Sequence, residues 1–454
     1  MKKIYATDIL LANGWARNKT LTIKNGVISN IEDGLQNGAE TMFGAVIPAM
    51  VNCHSHAFQR AFAGFSEHSS GTNDSFWTWR NTMYSFLKQL TCDDAEVIAT
   101  QLYIEMLKMG YSRVAEFHYL HHDIDGEFHE TPSQMATSIF SAAQNTGIGL
   151  TILPVLYSYS GFGAQTPNAG QARFIHNVEQ FNQLVTDCFD LSKKVKNSNV
   201  GIAPHSLRAV DKQGLKQAVA HVRALDNNAP IHIHIAEQQK EVEDCLAHYG
   251  QRPVEWLLDN IDVDQHWCLV HATHINEQER QGISKANAVA GICPTTEANL
   301  GDGIFPTQEF LAEGGVLAIG SDSHISVNPI EELRLLEYAQ RLIKQQRAVL
   351  SNKQTPSTGL NLWQQAAKGG AQATSSNLGE LAVGKQADLL VLNPEVTRLF
   401  ANAQEYLLDS VIFASQTTPI KDVMVNGQWQ VINGTHTLEQ KAAADFVDLL
   451  KRLS

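Results

Sequence analysis

Two alternating rhythms of apolar and polar positions run through most of this chain. Compact runs of β-branched and aliphatic residues recur at Ala45–Asn52, Ser112–His118, Gly149–Tyr157, Asn199–Pro204, Pro230–Ala236, His266–Thr273, Ala288–Cys293 and Val316–Ser321. Each reads as a buried strand. Between them lie amphipathic stretches such as Asp94–Met109, Lys212–Leu225 and Glu331–Ala348, which read as helices. Strand–helix alternation implies right-handed parallel crossovers. Eight such units over about 300 residues predict an α/β fold of the (β/α)8, TIM-like kind with enlarged loops.

The two ends of the chain follow another pattern. Ile23-Lys24-Asn25-Gly26-Val27-Ile28 carries the Asn-Gly signal of a tight hairpin. Short strand-like runs return near the end at Ala387–Asn393 and Val423–Trp429. Neither piece is large enough to bury a core alone, so the economical arrangement is one small β-sandwich domain assembled from both chain termini. The expected division is 1–46 for the first part of the sandwich, 47–370 for the barrel and 371–454 for the return to the sandwich.

Composition narrows the function classes. The 454 residues are 43% hydrophobic and 18% charged, which is globular and not disordered. A net charge of −13 argues against nucleic acid or an anionic membrane surface as partner. No apolar run approaches the roughly 20 residues needed to span a bilayer, and the first residues, Met1-Lys2-Lys3-Ile4-Tyr5-Ala6-Thr7-Asp8, lack the apolar core of a secretory signal. The six cysteines contain no C-x-x-C pair and several lie in apolar runs. A reduced, cytoplasmic protein is expected.

The candidate chemistry sits where the apolar runs end. The first barrel strand leads into His54-Ser55-His56, and in extended geometry alternate side chains share a face, so both imidazoles point the same way. Later strands end in His234 with Glu237 beyond it, in His271, and in Asp322. Any one of these could be an ordinary strand running into a polar loop. Four in order, each ending in metal-competent groups, fit a parallel barrel whose functional residues gather at the C-terminal strand ends.

In that order these residues resemble the amidohydrolase superfamily over essentially the whole chain. The segment Leu378-Gly379-Glu380-Leu381-Ala382-Val383-Gly384-Lys385-Gln386-Ala387-Asp388-Leu389 is similar to that family's return into its small domain. No lysine stands in Val200-Gly201-Ile202-Ala203-Pro204-His205, so the resemblance implies a mononuclear centre and not a carboxylated-lysine pair. Ala49 replaces the glycine usual before the metal strand, a change of backbone support and not of chemistry. Within the superfamily, His54–Gly64, Phe76-Trp77-Thr78-Trp79-Arg80, Glu116–His121 and Ala203–Arg208 resemble the formimidoylglutamate deiminases of histidine degradation.

What the resemblance implies can be stated residue by residue. His54, His56, His234 and Asp322 would hold one divalent ion, with Zn2+ the default for nitrogen and oxygen donors without thiolate and iron or manganese admissible. Asp322 would also accept a proton from water, Glu237 would carry a proton to the leaving nitrogen, and His271 would hydrogen-bond the attacking water or the developing oxyanion. Arg80 and Arg208 would meet a small-molecule dicarboxylate bidentately, supported by Gln59, Tyr119 and His205. Trp77 and Trp79 would close the pocket or pack in the core. His232 is given no ligand role. The resemblance also suggests a homodimer. The implied reaction is hydrolytic deimination of N-formimino-L-glutamate. The alternative is a mononuclear deaminase of an aromatic base, guanine- or triazine-like, whose pocket would be lined by aromatic and amide groups.

Overall fold

The computed structural model describes residues 1–65, 67, 80, 83–84, 86–397 and 404–453. Eight parallel strand positions form a barrel: Met50–Ser55, Tyr111–His118, Gly149–Leu156, a split fourth of Ser198–Val200 and Ala203–Pro204, Ile231–Ile235, Trp267–His271, Val289–Ile292 and Val316–Ile319. They make two four-strand arcs whose seams close by the bridges Ile202 to Ile231 and Ser55 to Asp322. Every residue of the first three and the fifth to seventh strands is buried, which explains why these segments read as continuous apolar runs.

The fourth strand, expected as one run over Asn199–Pro204, is interrupted at Gly201-Ile202. A side chain at Gly201 would place its Cβ 2.1 Å from the Pro230 carbonyl oxygen, so the chain passes too close to the fifth strand for any other residue. The expected helices are present at Cys92–Met109, Lys212–Leu225 and Pro329–Lys344. Their starts follow from their caps. Thr91 and Asp94 cap the first reciprocally, and the Asp211 carboxylate accepts from the Gly214 amide at 2.7 Å in the second. Helix Thr358–Ala373 lies against the eighth strand, where a Cβ at Gly369 would come within 1.9 Å of the Leu317 carbonyl oxygen.

Strands from the two ends of the chain share one nine-stranded sheet. Val46–Pro48 pairs antiparallel with Leu389–Val391, which joins the two contributions. The Asn25-Gly26 hairpin forms as its sequence predicts, with both residues at positive φ (53° and 80°). Ile4, Leu21, Ile28, Leu389 and Met424 lie in its separate apolar core. The last helix, Glu439–Leu453, packs on Cys92–Met109 through the ion pairs Arg452–Asp94 and Lys108–Glu439. Among the described residues no helix is long and apolar enough to cross a membrane.

Candidate active site

The barrel delivers its polar groups to one mouth because each strand hands over at its C-terminal end. His54 lies in the first strand with His56 just past its end, His234 in the fifth, His271 at the last residue of the sixth, and Asp322 three residues beyond the eighth. His271 and Asp322 hold left-handed backbone, at φ of 67° and 46°. Such geometry costs of order 1–3 kcal/mol for a residue with a Cβ and persists only when its surroundings impose it. For Asp322 the first and eighth strands impose it. The Ser321 and Asp322 amides both donate to the His54 carbonyl (3.2 and 3.0 Å), and the His56 amide donates back to Asp322 (3.3 Å).

The result is a close cluster. His54 Nε2 and His234 Nε2 are 2.9 Å apart, and Asp322 Oδ1 lies 3.4 Å from His54 Nε2 and 3.3 Å from His56 Nε2. Donor atoms of His54, His56 and His234 all fall within 4.8 Å of one another, and so do those of His54, His271 and Asp322. Burial holds the three imidazoles neutral: it lowers His56 to about 3 and drives His54 and His234 well below their ordinary value. His56 Nδ1–H donates to the Phe117 carbonyl at 2.9 Å, which leaves its Nε2 lone pair facing the cluster. Three neutral imidazoles and a carboxylate, with no thiolate, form a donor set that fits a divalent metal ion.

Glu237 and His271 stand beside this cluster. His271 Nε2 lies 3.9 Å from Glu237 Oε1 and 3.8 Å from Asp322 Oδ2. Burial raises the Glu237 carboxyl to about 7, against the pull of His271 and Arg208. Burial alone would lower His271, but Glu237, Glu297 and Asp322 outweigh it and lift the imidazole to about 10. Glu237 does not cap the next helix, whose N-cap is Gln238; it lines the cleft.

The cleft over the cluster encloses about 560 Å³, open solvent at its mouth included. All five residues expected around a substrate line it: Gln59, Arg80, Tyr119, His205 and Arg208. Gln59 Nε2 donates to the Tyr119 hydroxyl at 2.9 Å. Trp77 and Trp79 lie outside the described residues. His232 is buried below the site, with Nε2 2.6 Å from the Ala373 carbonyl.

Several residues of this site were not singled out from the sequence. Glu297 reaches His271 Nδ1 at 3.2 Å from beyond the seventh strand, where Pro294-Thr295-Thr296-Glu297 is a polar run at a strand end like the others. Glu241 accepts from the Ala236 and Glu237 amides (3.2 and 3.3 Å), and its i+4 spacing from Glu237 was the available signal. Glu116 pins the turn after the first strand, accepting from Ser55 Oγ and the Ala57 amide at 2.6 Å each. Met83 and Tyr84 in helical turns, Tyr157 just past the third strand, Phe174 at the end of the short helix Ala169–Phe174 and Leu300 at the end of Pro294–Leu300 complete the cleft wall.

Comparison with known proteins agrees with this architecture. The model of the Amidohydrolase family matches residues 45–430, and that of the formimidoylglutamate deiminase HutF N-terminal domain matches residues 1–41. The chain is 49% identical over 455 residues to formimidoylglutamate deiminase of Pseudomonas aeruginosa, covering all of both chains. It superposes on an amidohydrolase from Brucella melitensis with a TM-score of 0.95 and 44% identity, again over both full lengths. An adenosine deaminase from Xanthomonas campestris with bound zinc shares the fold, with a TM-score of 0.81 and 19% identity over 99% of this chain and 98% of that one.

Proposed function

The chain belongs to the amidohydrolase family, and from that premise we propose that it hydrolyses N-formimino-L-glutamate to N-formyl-L-glutamate and ammonia. The observation that carries this reading is that Arg80 and Arg208 open into the same cleft as the histidine–aspartate cluster. Two guanidiniums above a hydrolytic centre suit a substrate with two carboxylates. The full-length relative from Pseudomonas aeruginosa supports the same assignment.

His54, His56, His234 and Asp322 would hold a divalent ion, zinc on the chemistry of the donors. Such an ion, when bound, supplies Lewis acidity that brings the pKa of water towards 7. The protein's own groups supply the rest. Asp322 takes the proton that water loses as its oxygen bonds to the formimino carbon. His271, kept protonated by its three carboxylate neighbours, donates a hydrogen bond to that oxygen. Glu237, raised to about 7 and so able both to hold and to release a proton near neutrality, protonates the nitrogen before the C–N bond breaks. As ammonia leaves, the hydroxyl oxygen gives its remaining proton to Glu237 and the carbon becomes the formyl carbonyl. Water is the nucleophile, so no serine or cysteine takes part.

The test is ammonia release from synthetic N-formimino-L-glutamate, run beside N-formimino-L-aspartate, guanine and a triazine. Turnover of formiminoglutamate in preference to the rest is expected. Turnover of a base alone would overturn the proposal in favour of a base deaminase.

A further inference from the structure

The outer wall of the cleft contains a hydrogen-bonded chain with a defined direction. The Asn168 amide donates to Gln171 Oε1 at 2.9 Å, which fixes the orientation of the Gln171 side-chain amide. Gln171, fully buried, therefore presents Nε2, which donates to the Tyr157 hydroxyl at 2.7 Å. Tyr84 lines the cleft beside Tyr157, and the two phenols act on each other electrostatically. The Tyr157 oxygen accepts from Gln171, so the hydroxyl keeps its own proton to give to another group. Gln171 adds a donor and no acceptor to the pair.

Both tyrosines line the cleft, and their charged neighbours are cationic: the Arg80 guanidinium carbon lies 5.6 Å from the centre of the Tyr84 ring, and Arg208 opens into the same space. Tyr84 is also seated firmly. A Cβ on Gly170 would fall 2.7 Å from Tyr84 Cδ2, so the turn that carries Gln171 packs directly on its ring.

Ring contacts order the cleft outward from the metal-competent cluster. Tyr119 lies 4.9 Å from His56, and His205 lies 4.9 Å from His234; these form the inner tier. Phe174, 4.9 Å from Tyr119, and Tyr157, 4.5 Å from His205, form the next. Tyr84 packs 6.0 Å from Phe174 on the side of Arg80. A group reaching this tier is remote from the atom being hydrolysed. We propose that the Tyr84–Tyr157 pair donates a hydrogen bond to the side-chain carboxylate of the substrate, alongside the arginines, and so selects the glutamate arm over shorter ones.

This proposal rests on the formiminoglutamate reading of the cleft. Its test compares wild type, Tyr84→Phe and the double variant Tyr84→Phe/Tyr157→Phe, each checked for metal content and thermal unfolding. The substrates are N-formimino-L-glutamate, N-formimino-L-aspartate and N-formimino-L-2-aminobutyrate, the last lacking the side-chain carboxylate. In the double variant KM for formiminoglutamate should rise about tenfold or more, as for loss of a hydrogen bond to a charged group, with kcat within about threefold. The preference for formiminoglutamate over formiminoaspartate should shrink by a similar factor. With the 2-aminobutyrate substrate the loss should fall below about twofold, because the acceptor is missing in every protein. Should the double variant not fold, Tyr84→Phe alone should still raise KM about threefold or more. Unchanged KM in a folded variant would overturn the inference while leaving the proposed function standing. An equal loss with the 2-aminobutyrate substrate would do the same, by showing a purely structural role. A wild-type enzyme inert towards formiminoglutamate would overturn both.

Discussion

His271 Nδ1 lies 3.2 Å from a carboxylate oxygen of Glu297, an oxygen that also accepts from the Cys293 amide at 2.9 Å. One carboxylate thereby ties the sixth strand end to the seventh and sets which nitrogen of the imidazole faces the cleft. Glu297→Gln keeps the size and loses the charge. A group that orients another in this way is typically worth about 10–100-fold. We expect kcat to fall by that factor with metal content unchanged, measured by steady-state kinetics beside elemental analysis.

The groups nearest the reacting atoms should be less forgiving. Asp322→Ala removes a donor to the ion and the acceptor of water's proton, and His271→Ala removes the hydrogen bond to the incoming oxygen. Each loss amounts to many kcal/mol of transition-state stabilisation. Both variants should fold, as judged by circular dichroism, and show less than about one hundredth of wild-type turnover when loaded with metal. Higher activity would remove these residues from the mechanism.

Glu237→Gln separates proton transfer from binding. The amide is nearly isosteric and cannot shuttle a proton, so kcat should drop by roughly 10²–10⁴ while KM and metal content hold. Metal lost, with full activity on reconstitution, would instead make Glu237 a structural support.

The sequence exposed the groups set by strand periodicity and hid those set by loops. His54 and His56 were legible because two residues along a strand return to the same face, and His234, His271 and Asp322 because each closes an apolar run. The same logic located all eight strand positions, and it missed the break at Gly201-Ile202 because backbone proximity to Pro230 leaves no mark in hydropathy. Glu241 and Glu297 were in plain view but act through backbone amides and an imidazole that only the folded chain brings to them. Tyr84, in a helical turn after the first strand, and Tyr157, just past the third, line one cleft although most of two βα units separate them, and no local pattern encodes that.

Acid should destabilise the fold through two buried histidines that do not line the cleft, His118 and His176. Burial lowers His118 to about 4, and burial with the neighbouring His122 lowers His176 to about 3, against 6.5 for a free imidazole. The unfolded chain therefore binds these protons first. The contribution of these two histidines is flat above pH 6.5 and is lost as pH falls towards about 4, by roughly 1.4 kcal/mol per pH unit for each group at most. Thermal unfolding from pH 8 to 4 should show this decline. His118→Gln, which cannot titrate, should flatten it whatever its Tm at pH 8; an unaltered slope would show that His118 is not a source of the acid sensitivity.

The arginines carry the claim about the substrate and admit the sharpest test. Burial would lower the Arg208 pKa, but Glu241 and Glu237 outweigh it, so the guanidinium stays charged inside the cleft. A charge-assisted contact to a carboxylate is worth about 1.5–3 kcal/mol, and more where its loss strands a buried charge. Arg208→Met and Arg80→Met should each lower kcat/KM for formiminoglutamate at least about tenfold without loss of metal. Methionine keeps the length of the stem, so the change tests charge more than packing. Each variant is then set against the two mono-amides of the substrate. Where an arginine faces the carboxylate that has become an amide, the wild-type enzyme has already lost the ionic part of the contact, and the mutation should cost correspondingly less. The analogue that shrinks the loss for Arg208 should leave it intact for Arg80, and the reverse, if each arginine holds a different acid group. Equal losses with every analogue would mean that neither arginine touches a carboxylate, and the dicarboxylate assignment would then yield to deamination of an aromatic base.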